Sequence, residues 1–595
     1  MTQELKEIYE QRNTQYHQEA EELQQKYNRF SIIRLLIFFV AIAIIILLWS
    51  AAIALGMLGI VIFLVGFYRF VIWHQAIKTK ELHLRQLSKI NANEAKVLEH
   101  DYSMFEDGEE FLNPLHSYSL DLDIFGDHSF FQYCNRTNTV IGKQALASIL
   151  QEEVSLDTIQ ERQNAIQELR TLLDWRQDLQ AYGANTKDEV KHLDLLKYWL
   201  EQPNFVLDNR LYKIAFYFAP VLTLLALGLI IDYPWWIAIL PIIPNLLILR
   251  RTVSKVNETH QQTTHADKAL SHYAALIQHI ENQSFETSLL KKLAAAFGEH
   301  QAHQQIRRLS YIIGQLNVRY NIFSFILNIG GLWDLHWVYR LEKWKLANKE
   351  FLSLWFENLA RFEALSSFAN LSYNNPDWIF PEFQETTDIK ATGLGHPLIH
   401  QSKRITNDFS SPTQGHIKLI TGSNMAGKST FLRTVGLNIA LANVGAPVCA
   451  KELQLPLLKV YTSMRTQDAL HESTSSFYAE LKRLKFIIEA VERGEQIYFL
   501  LDEILKGTNS RDRHTGSKAL IRQLIEAKGG GIIATHDLEL GALEAQYGGA
   551  IENLRIEVEI EDGKLHFDYK LKKGVSQSFN ATILMQQMGI KVENG

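Results

Sequence analysis

Cysteine is close to absent. Cys134 and Cys449 are the two in 595 residues, far apart and without a CxxC or a Cys/His cluster. That excludes a disulfide framework and a zinc site, and points to two reduced thiols packed in a core in a cytosolic setting. An excess of positive charge is missing too. The formal net charge is −6, so bulk electrostatics give no support to tight non-specific DNA binding, although a local basic patch is compatible with them. Charged residues at 21% and hydrophobic residues at 47% exclude a disordered chain. The length exceeds one core and implies roughly three to four domains. A secretory leader does not fit either, because the first apolar run starts some 30 residues in and far exceeds an h-region of roughly 7–15 residues. No cleavage is expected.

Apolar sequence without charge is abundant. Residues 35–68, LLIFFVAIAIIILLWSAAIALGMLGIVIFLVGFY, form an uncharged run between Arg34 and Arg69, ~51 Å as one helix against a ~30 Å hydrocarbon core. The run therefore reads as two short spans turning near residues 49–54, with both arginines snorkelling. A second run, residues 214–249, is broken by DYPWW, where Asp232 and Pro234 make a turn and Trp235 and Trp236 suit an interface belt. Lys26, Arg29, Arg34, Arg69, Lys78 and Lys80 frame the first hairpin, and Lys213, Arg250, Arg251 and Lys255 the second. The positive-inside rule then puts both termini and the long middle segment in the cytoplasm. A third stretch, NIFSFILNIGGLW at 321–333, is too short and too glycine-broken to span, which leaves core or interface. Residues 1–30 are polar and read as a solvated helix leading to the membrane.

The stretch TGSNMAGKSTFLRT, residues 421–434, lies between HIKLI, a buried strand, and FLRTVGLNIALANVG, a helix. Gly422, Gly427, Lys428 and Ser429 satisfy GxxxxGKS/T in the strand–turn–helix setting that this motif requires. Backbone N–H groups cradle phosphates, Lys428 neutralises the β/γ oxygens, and Ser429 ligates magnesium. The other half of such a site is a hydrophobic strand ending in acid, and QIYFLLDE supplies it: Asp502 to hold magnesium through water, Glu503 to orient or deprotonate the attacking water. A further strand, GGGIIATHD, ends in His536, placed to sense the γ-phosphate. ATP and magnesium are the implied ligands.

These motifs resemble the ATPase domain of the MutS family, the mismatch-repair branch of the ABC-like ATPases. TGSNMAGKST is similar to the family's TGPNMGGKST, and LLDEILKGTNSRD to its IDEIGRGTSTYD; no LSGGQ occurs. The resemblance makes Gly422, Ser423, Asn424, Met425, Ala426, Gly427, Lys428, Ser429 and Thr430 the phosphate-binding segment. TSMRTQDALHESTSSFYAEL resembles TRIGASDDL followed by STFMVEM, which implies that Ser475, Ser476 and Phe477 reach the partner subunit's ATP, with Glu480 in register. ATHDLEL resembles the family's histidine switch. Outside this domain, LDLDIFGDHSFFQYCNRTNTVIGKQALASILQ looks like the start of the helical core, with Thr137, Thr139 and Gly142 at matching positions. ENLARFEALSSFANL and GLGHPLI resemble the lever end and the approach to the ATPase domain, and HFDYKLKKGVSQSFNATILMQQMGI the closing segment near the dimer interface. The similarity runs roughly from 115 to 590.

Departures from the family are specific. A polar helix and a hairpin stand where the mismatch-reading domain with its Phe-x-Glu wedge belongs, and Phe297 with Glu299, or Phe383 with Glu385, fits that pattern only by chance. The stretch from the second hairpin to Phe351 is too short for a full DNA clamp, although Lys291, Lys292, Arg307 and Arg308 are available to phosphates. Ser423 and Ala426 replace Pro and Gly, and Lys506 and Arg511 replace Arg and Tyr. With the chain ending at Gly595, no nuclease-like tail is expected.

The fold expected is α and α/β multidomain: transmembrane helical hairpins, an all-α MutS-like core and lever, and a C-terminal ABC-like P-loop α/β ATPase domain. Its boundaries are a polar cytosolic helix 1–30, hairpin 31–74, linker helix 75–114, first core part 115–213, hairpin 214–250, second core and lever part 251–385, and ATPase domain 386–595. The expected function is that of a multi-pass, membrane-anchored homodimeric ATPase working as a clamp, with mismatched or branched DNA implied by resemblance. A membrane-coupled ATPase acting on a lipid or protein ligand is the alternative.

Overall fold

A computed structural model describes residues 2–184, 190–264, 266–423, 426–465, 476–561 and 564–577. Helices fill the chain up to Asn374 and strands begin at Glu382, so the expected order of helical then mixed α/β structure holds. The first two helices, Thr2–Ala51 and Ile53–Leu98, pair along their length and are separated by Ala52 alone, whose backbone is extended (φ −162°, ψ 139°). That break falls inside the expected turn.

Residues 1–30 do not form the freely solvated helix expected from their polarity. Tyr9 and Ala20 are fully buried, and Tyr9 Oη donates to Asn374 Oδ1 (2.7 Å). Ser88 Oγ donates to Asn13 Oδ1 (2.7 Å) across the helix pair, and Arg12 Nη2 donates to Gln177 (3.0 Å) in the core. A few small or aromatic residues spaced along a charged helix bury one narrow seam, which average composition conceals.

Among the described residues four helical segments are long and apolar enough to cross a membrane: Thr2–Ala51, Ile53–Leu98, Arg210–Leu229 and Trp235–Thr263. Their apolar windows are at most 17% buried, so these runs are not core helices hidden inside the molecule. Arg210–Leu229 and Ile242–Thr263 are joined through the short 3-10 turn Trp235–Ile239. Residues 321–333 yield a helix, Ile322–Gly331, packed against both.

The 42-residue helix Trp333–Asn374, ~63 Å long, organises the helical part and grows more buried towards its end. Glu363 on it accepts the N–H groups of Asn138 (2.9 Å) and Thr139 (3.2 Å), while Thr139 Oγ1 caps helix Val140–Ile149 by accepting from Gly142 N (2.9 Å). A β-carbon on Gly142 would run into the Glu363 carboxylate, which explains Gly there. Phe297 is fully buried in helix Ser288–Gly298 and Phe383 lies in a two-residue strand, so neither is an exposed wedge. Cys134 and Cys449 are buried and unbridged; burial pushes their thiol pKa values up to about 12 and about 11.

Among the described residues ten strands make two mixed sheets. Strands β1 (Glu382–Phe383), β2 (Asp388–Leu394), β3 (Asn407–Pro412) and β5 (Glu452–Leu455) form the smaller, in the order β1-β5-β2-β3. The larger runs β10-β9-β4-β8-β7-β6, from β4 (His416–Thr421), β6 (Lys459–Ser463), β7 (Ile497–Asp502), β8 (Gly530–Thr535), β9 (Ile551–Glu561) and β10 (Lys564–Lys573). Five of its strands are parallel and β10 is antiparallel. Every residue of β7 and β8 is buried, as a parallel sheet covered on both faces requires. Residues 116–123 dock onto this sheet and the helix beside it: Thr462 Oγ1 of β6 donates to Asp121 Oδ2 (2.7 Å), and Arg483 Nη2 of helix Ser476–Glu492 to the His116 carbonyl (2.7 Å).

Candidate functional site

Three strands of the larger sheet end at one level. Register pairs Thr421 with Thr535 and Asp502 with Ala534, so Gly422, Glu503 and His536 emerge along one carboxyl edge, where open α/β sheets bind ligands. The turn after β4 leads into helix Lys428–Asn443, and a helix N-terminus behind a glycine-rich turn suits an anion.

Two glycines in that turn are dictated by crowding. Gly427 has φ +97°, in the left-handed region, and a β-carbon there would come 2.8 Å from Tyr569 Cδ1. At Gly422 a β-carbon would come 2.5 Å from the Ile556 carbonyl oxygen. Lys428 folds back into the turn, donating to the carbonyls of Gly422 (2.7 Å) and Ser423 (2.9 Å). It is 4% exposed, and burial lowers its ammonium pKa. Ala426 is buried and Thr430 is exposed on the helix. Asn424 and Met425 lie outside the described residues.

Ser429 Oγ donates to Asp502 Oδ2 (2.5 Å). Strand β8 separates β4 from β7, so this contact bridges a strand and brings the two motifs together. Burial raises the Asp502 pKa, with Ser429 and Lys506 opposing it. Its other oxygen, Oδ1, is buried without a hydrogen-bond partner among the described residues. A hard-oxygen cation such as magnesium fits a hydroxyl beside a half-satisfied carboxylate.

Glu503 has φ +50° and donates its N–H to the Ala534 carbonyl (2.9 Å), a backbone state that non-glycine residues adopt at a cost of about 1–3 kcal/mol. His536 Nδ1 stands 3.7 Å from its Oε1 and Lys506 Nζ 3.9 Å from its Oε2. A carboxylate at that edge of the sheet is within reach of a water placed at the strand ends, which it can orient or deprotonate.

Ser475 lies outside the described residues, and Ser476 is the first residue of helix Ser476–Glu492. From that helix Phe477 packs against Gly507, and Glu480 Oε1 accepts the N–H of Leu505 (2.5 Å), tying the helix to the segment that follows Asp502.

Two further residues at the site were not singled out from the sequence. Tyr569 (φ +52°) sits in a β-bulge between Phe567 and Leu571, and Asn407 Nδ2 donates to its carbonyl (3.1 Å). His514 Nδ1 lies 2.7 Å from Asp537 Oδ2, next to His536. The alternation in HFDYKL fits a strand without marking one, and gives no sign of the bulge that turns Tyr569 towards Gly427.

Residues 418–590, which contain this whole edge of the sheet, match the family model described as MutS domain V. This part of the chain is similar to MutS domain V. Among its relatives, the DNA mismatch repair protein MutS of Aquifex pyrophilus is 33% identical over 201 residues, 33% of this chain and 23% of that protein. The protein of the same name from Thermotoga sp. (strain RQ2) is 32% identical over 234 residues, 38% of this chain and 29% of the relative. Human MutS protein homolog 4 is 29% identical over 234 residues, 38% of this chain and 24% of its own length. The aligned part thus spans about a quarter of the MutS relatives, and MutS similarity is concentrated in the domain that carries the site.

Proposed function

We propose that this protein is a MutS-family, membrane-anchored ATP hydrolase that dimerises through its P-loop domain and uses nucleotide turnover to drive a clamp-like movement of its helical core. The Ser429–Asp502 contact under the turn carries the reading, because it joins the two halves of a nucleoside-triphosphate site from opposite sides of a strand. Phosphate oxygens would take the hydrogen bonds that Lys428 now makes to Gly422 and Ser423, and their charge restores the cationic form that burial disfavours. Ser429 and Asp502 would hold magnesium, which when bound offsets negative charge on the phosphates. Glu503 accepts the proton of the water that adds to the γ-phosphorus as the bond to the bridging oxygen breaks, releasing ADP and phosphate; His536 beside it orients that carboxylate and senses the γ-phosphate. Ser475 and Ser476 are assigned to the second subunit's ATP.

The Glu503→Gln variant is expected to bind ATP as the parent does and to hydrolyse it on the order of 10²-fold or more slowly. Unchanged turnover would remove Glu503 from its role.

The name DNA mismatch repair protein carried by the relatives points to mismatched DNA as the ligand of the clamp, with branched DNA implied by the family resemblance alone, and the exposed Lys291, Lys292, Arg307 and Arg308 on two neighbouring helices are the candidate phosphate contacts. Four apolar helical segments and the net negative charge support a second reading, in which the ATPase acts on a lipid or a membrane protein with both termini and the ATPase domain cytoplasmic. Binding to homoduplex, mismatched and branched DNA across a salt series, with and without ATP, separates them. The DNA reading requires ATP-modulated binding that weakens steeply with salt. Intact ATPase activity with no DNA binding at low salt would favour the second.

A further inference from the structure

The helix Ile322–Gly331 is apolar and presents Phe325 and Ile326, 64% and 63% exposed, on its outer side, with Leu327 half-exposed beside them. At ten residues it is ~15 Å long, half of a ~30 Å hydrocarbon core. Its flanks return to one place: Arg319, just before it, forms an ion pair with Asp334, just after it (3.2 Å), and both side chains are at most 10% exposed. A segment whose two ends meet in one ion pair has not crossed anything.

Its inner side joins the second apolar hairpin. β-Carbons built on Gly330 and Gly331 would lie 3.5 Å from Thr223 and Pro220 of helix Arg210–Leu229, the close approach that small residues give to helices packed in lipid. Asn245, buried on helix Ile242–Thr263, donates through Nδ2 to the Ile329 carbonyl (2.8 Å). A last-turn carbonyl has no partner within its own helix, and in hydrocarbon such a group must be satisfied by protein. The helix ends on Leu332 (φ +54°), where Asn328 Oδ1 accepts the N–H of Asp334 (2.9 Å). Around this end stand Trp333, Trp337, Tyr311 and Arg340, with the guanidinium 4.9 Å above the Trp337 ring, the mixture of aromatic and cationic groups found at the rim of a bilayer.

We propose that Ile322–Gly331 is a membrane-inserted segment that enters and leaves through one leaflet, seated on the second hairpin, with Phe325, Ile326 and Leu327 against lipid acyl chains. This rests on the membrane-anchored reading above. The occupant is lipid because the exposed face is uncharged and continues the bare apolar surface of the adjoining helices, on which Leu224 and Leu247 are 68% and 58% exposed.

Both native thiols are buried, so single introduced cysteines can carry an environment-sensitive fluorophore in the full-length protein reconstituted in phosphatidylcholine/phosphatidylglycerol nanodiscs. Ile326→Cys is the probe, with Phe325→Cys as a second position, Leu224→Cys as the span control and Leu346→Cys, on the long helix and 71% exposed, as the aqueous control. The expected result is that positions 326 and 224 both lose most of the iodide quenching seen at 346 and are quenched instead by nitroxide-labelled lipid. Lipid quenching at 224 with full iodide access at 326 would overturn the insertion and leave the anchor standing. Full iodide access at both would overturn the anchor as well. Protection of 326 from iodide and lipid quencher alike would overturn lipid contact in favour of a covering protein.

Discussion

His396 is buried near Arg404 and Arg433, and its Nδ1 accepts the N–H of Leu398 (3.1 Å). Burial, with the two guanidinium groups adding to it, pushes its pKa down to about 4. Because the folded value lies below the ordinary one near 6.5, the unfolded chain takes up the proton first as pH falls. The stability is present in full above pH ~6.5 and is lost as pH drops towards 4, by roughly 3 kcal/mol in all. Urea titrations of the sheet domain between pH 7 and 4 should show that slope, and His396→Asn should flatten it; an identical slope in the variant would assign the titration elsewhere. Gly427 is the second residue whose identity decides an outcome. Gly427→Ala combines the strain of φ +97° with a clash against Tyr569, so ATP affinity measured by calorimetry should fall at least about tenfold, or ~1.4 kcal/mol. Adding Tyr569→Ala should recover part of the loss, since it relieves the clash and not the strain. That Ser429 and Asp502 come together was legible, because the two motifs stand at fixed spacing beside strands. Tyr569 and His514 were not, because their contacts form only when distant strands pair.

Among elements, the first hairpin shows how far pattern reaches. The length of the uncharged run against bilayer thickness places the chain reversal near residues 49–54, and Ala52 breaks the helix there. Pattern alone missed what the polar arms of the same helices do. Glu94 on the second helix forms a bidentate pair with Arg136 Nε (2.5 Å) and Nη2 (3.2 Å), both side chains at most 3% exposed, and also accepts from Asn374 Nδ2 (2.7 Å). The Arg136 charge holds the Glu94 pKa below the usual carboxylate range despite the burial that opposes it. Neither residue stands in an apolar period that would mark it as buried. Glu94→Ala leaves a guanidinium buried without its anion, a defect that costs about 3–5 kcal/mol; a lowered unfolding midpoint with faster proteolysis of the paired helices is expected. A midpoint unchanged from the parent would mean the joint contributes nothing. Of the larger sheet, β4, β7 and β8 were legible in the sequence, but β6, β9, β10 and the strand order were not. That Asp502 reaches Ser429 across β8 follows from the crossover topology, and no local pattern encodes that.

At the scale of the whole molecule, one path runs from the site to the apolar segments. The sheet holds residues 116–123 through Asp121 and helix Ser476–Glu492 holds them through the His116 carbonyl, this region leads to Arg136 and Glu94, and Glu94 lies on the helix that runs back to the first hairpin. The long helix gives a second route, since it starts at the Arg319–Asp334 pair below Ile322–Gly331 and ends at Asn374 beside Tyr9 and Glu94. Two routes converging on Asn374 make that residue the place where movement of the domain V sheet and movement of either hairpin would be felt together. The same convergence sets an order in time. Tyr9 and its partner Asn374 are 365 residues apart in the chain, and synthesis at about 5–20 residues per second separates their emergence by roughly 20–70 s. The first two helices, neighbours in sequence, can pair within that interval, and Arg136 and Gln177 also precede the long helix, so the polar arms stand assembled with Tyr9 still waiting for Asn374 to close its socket.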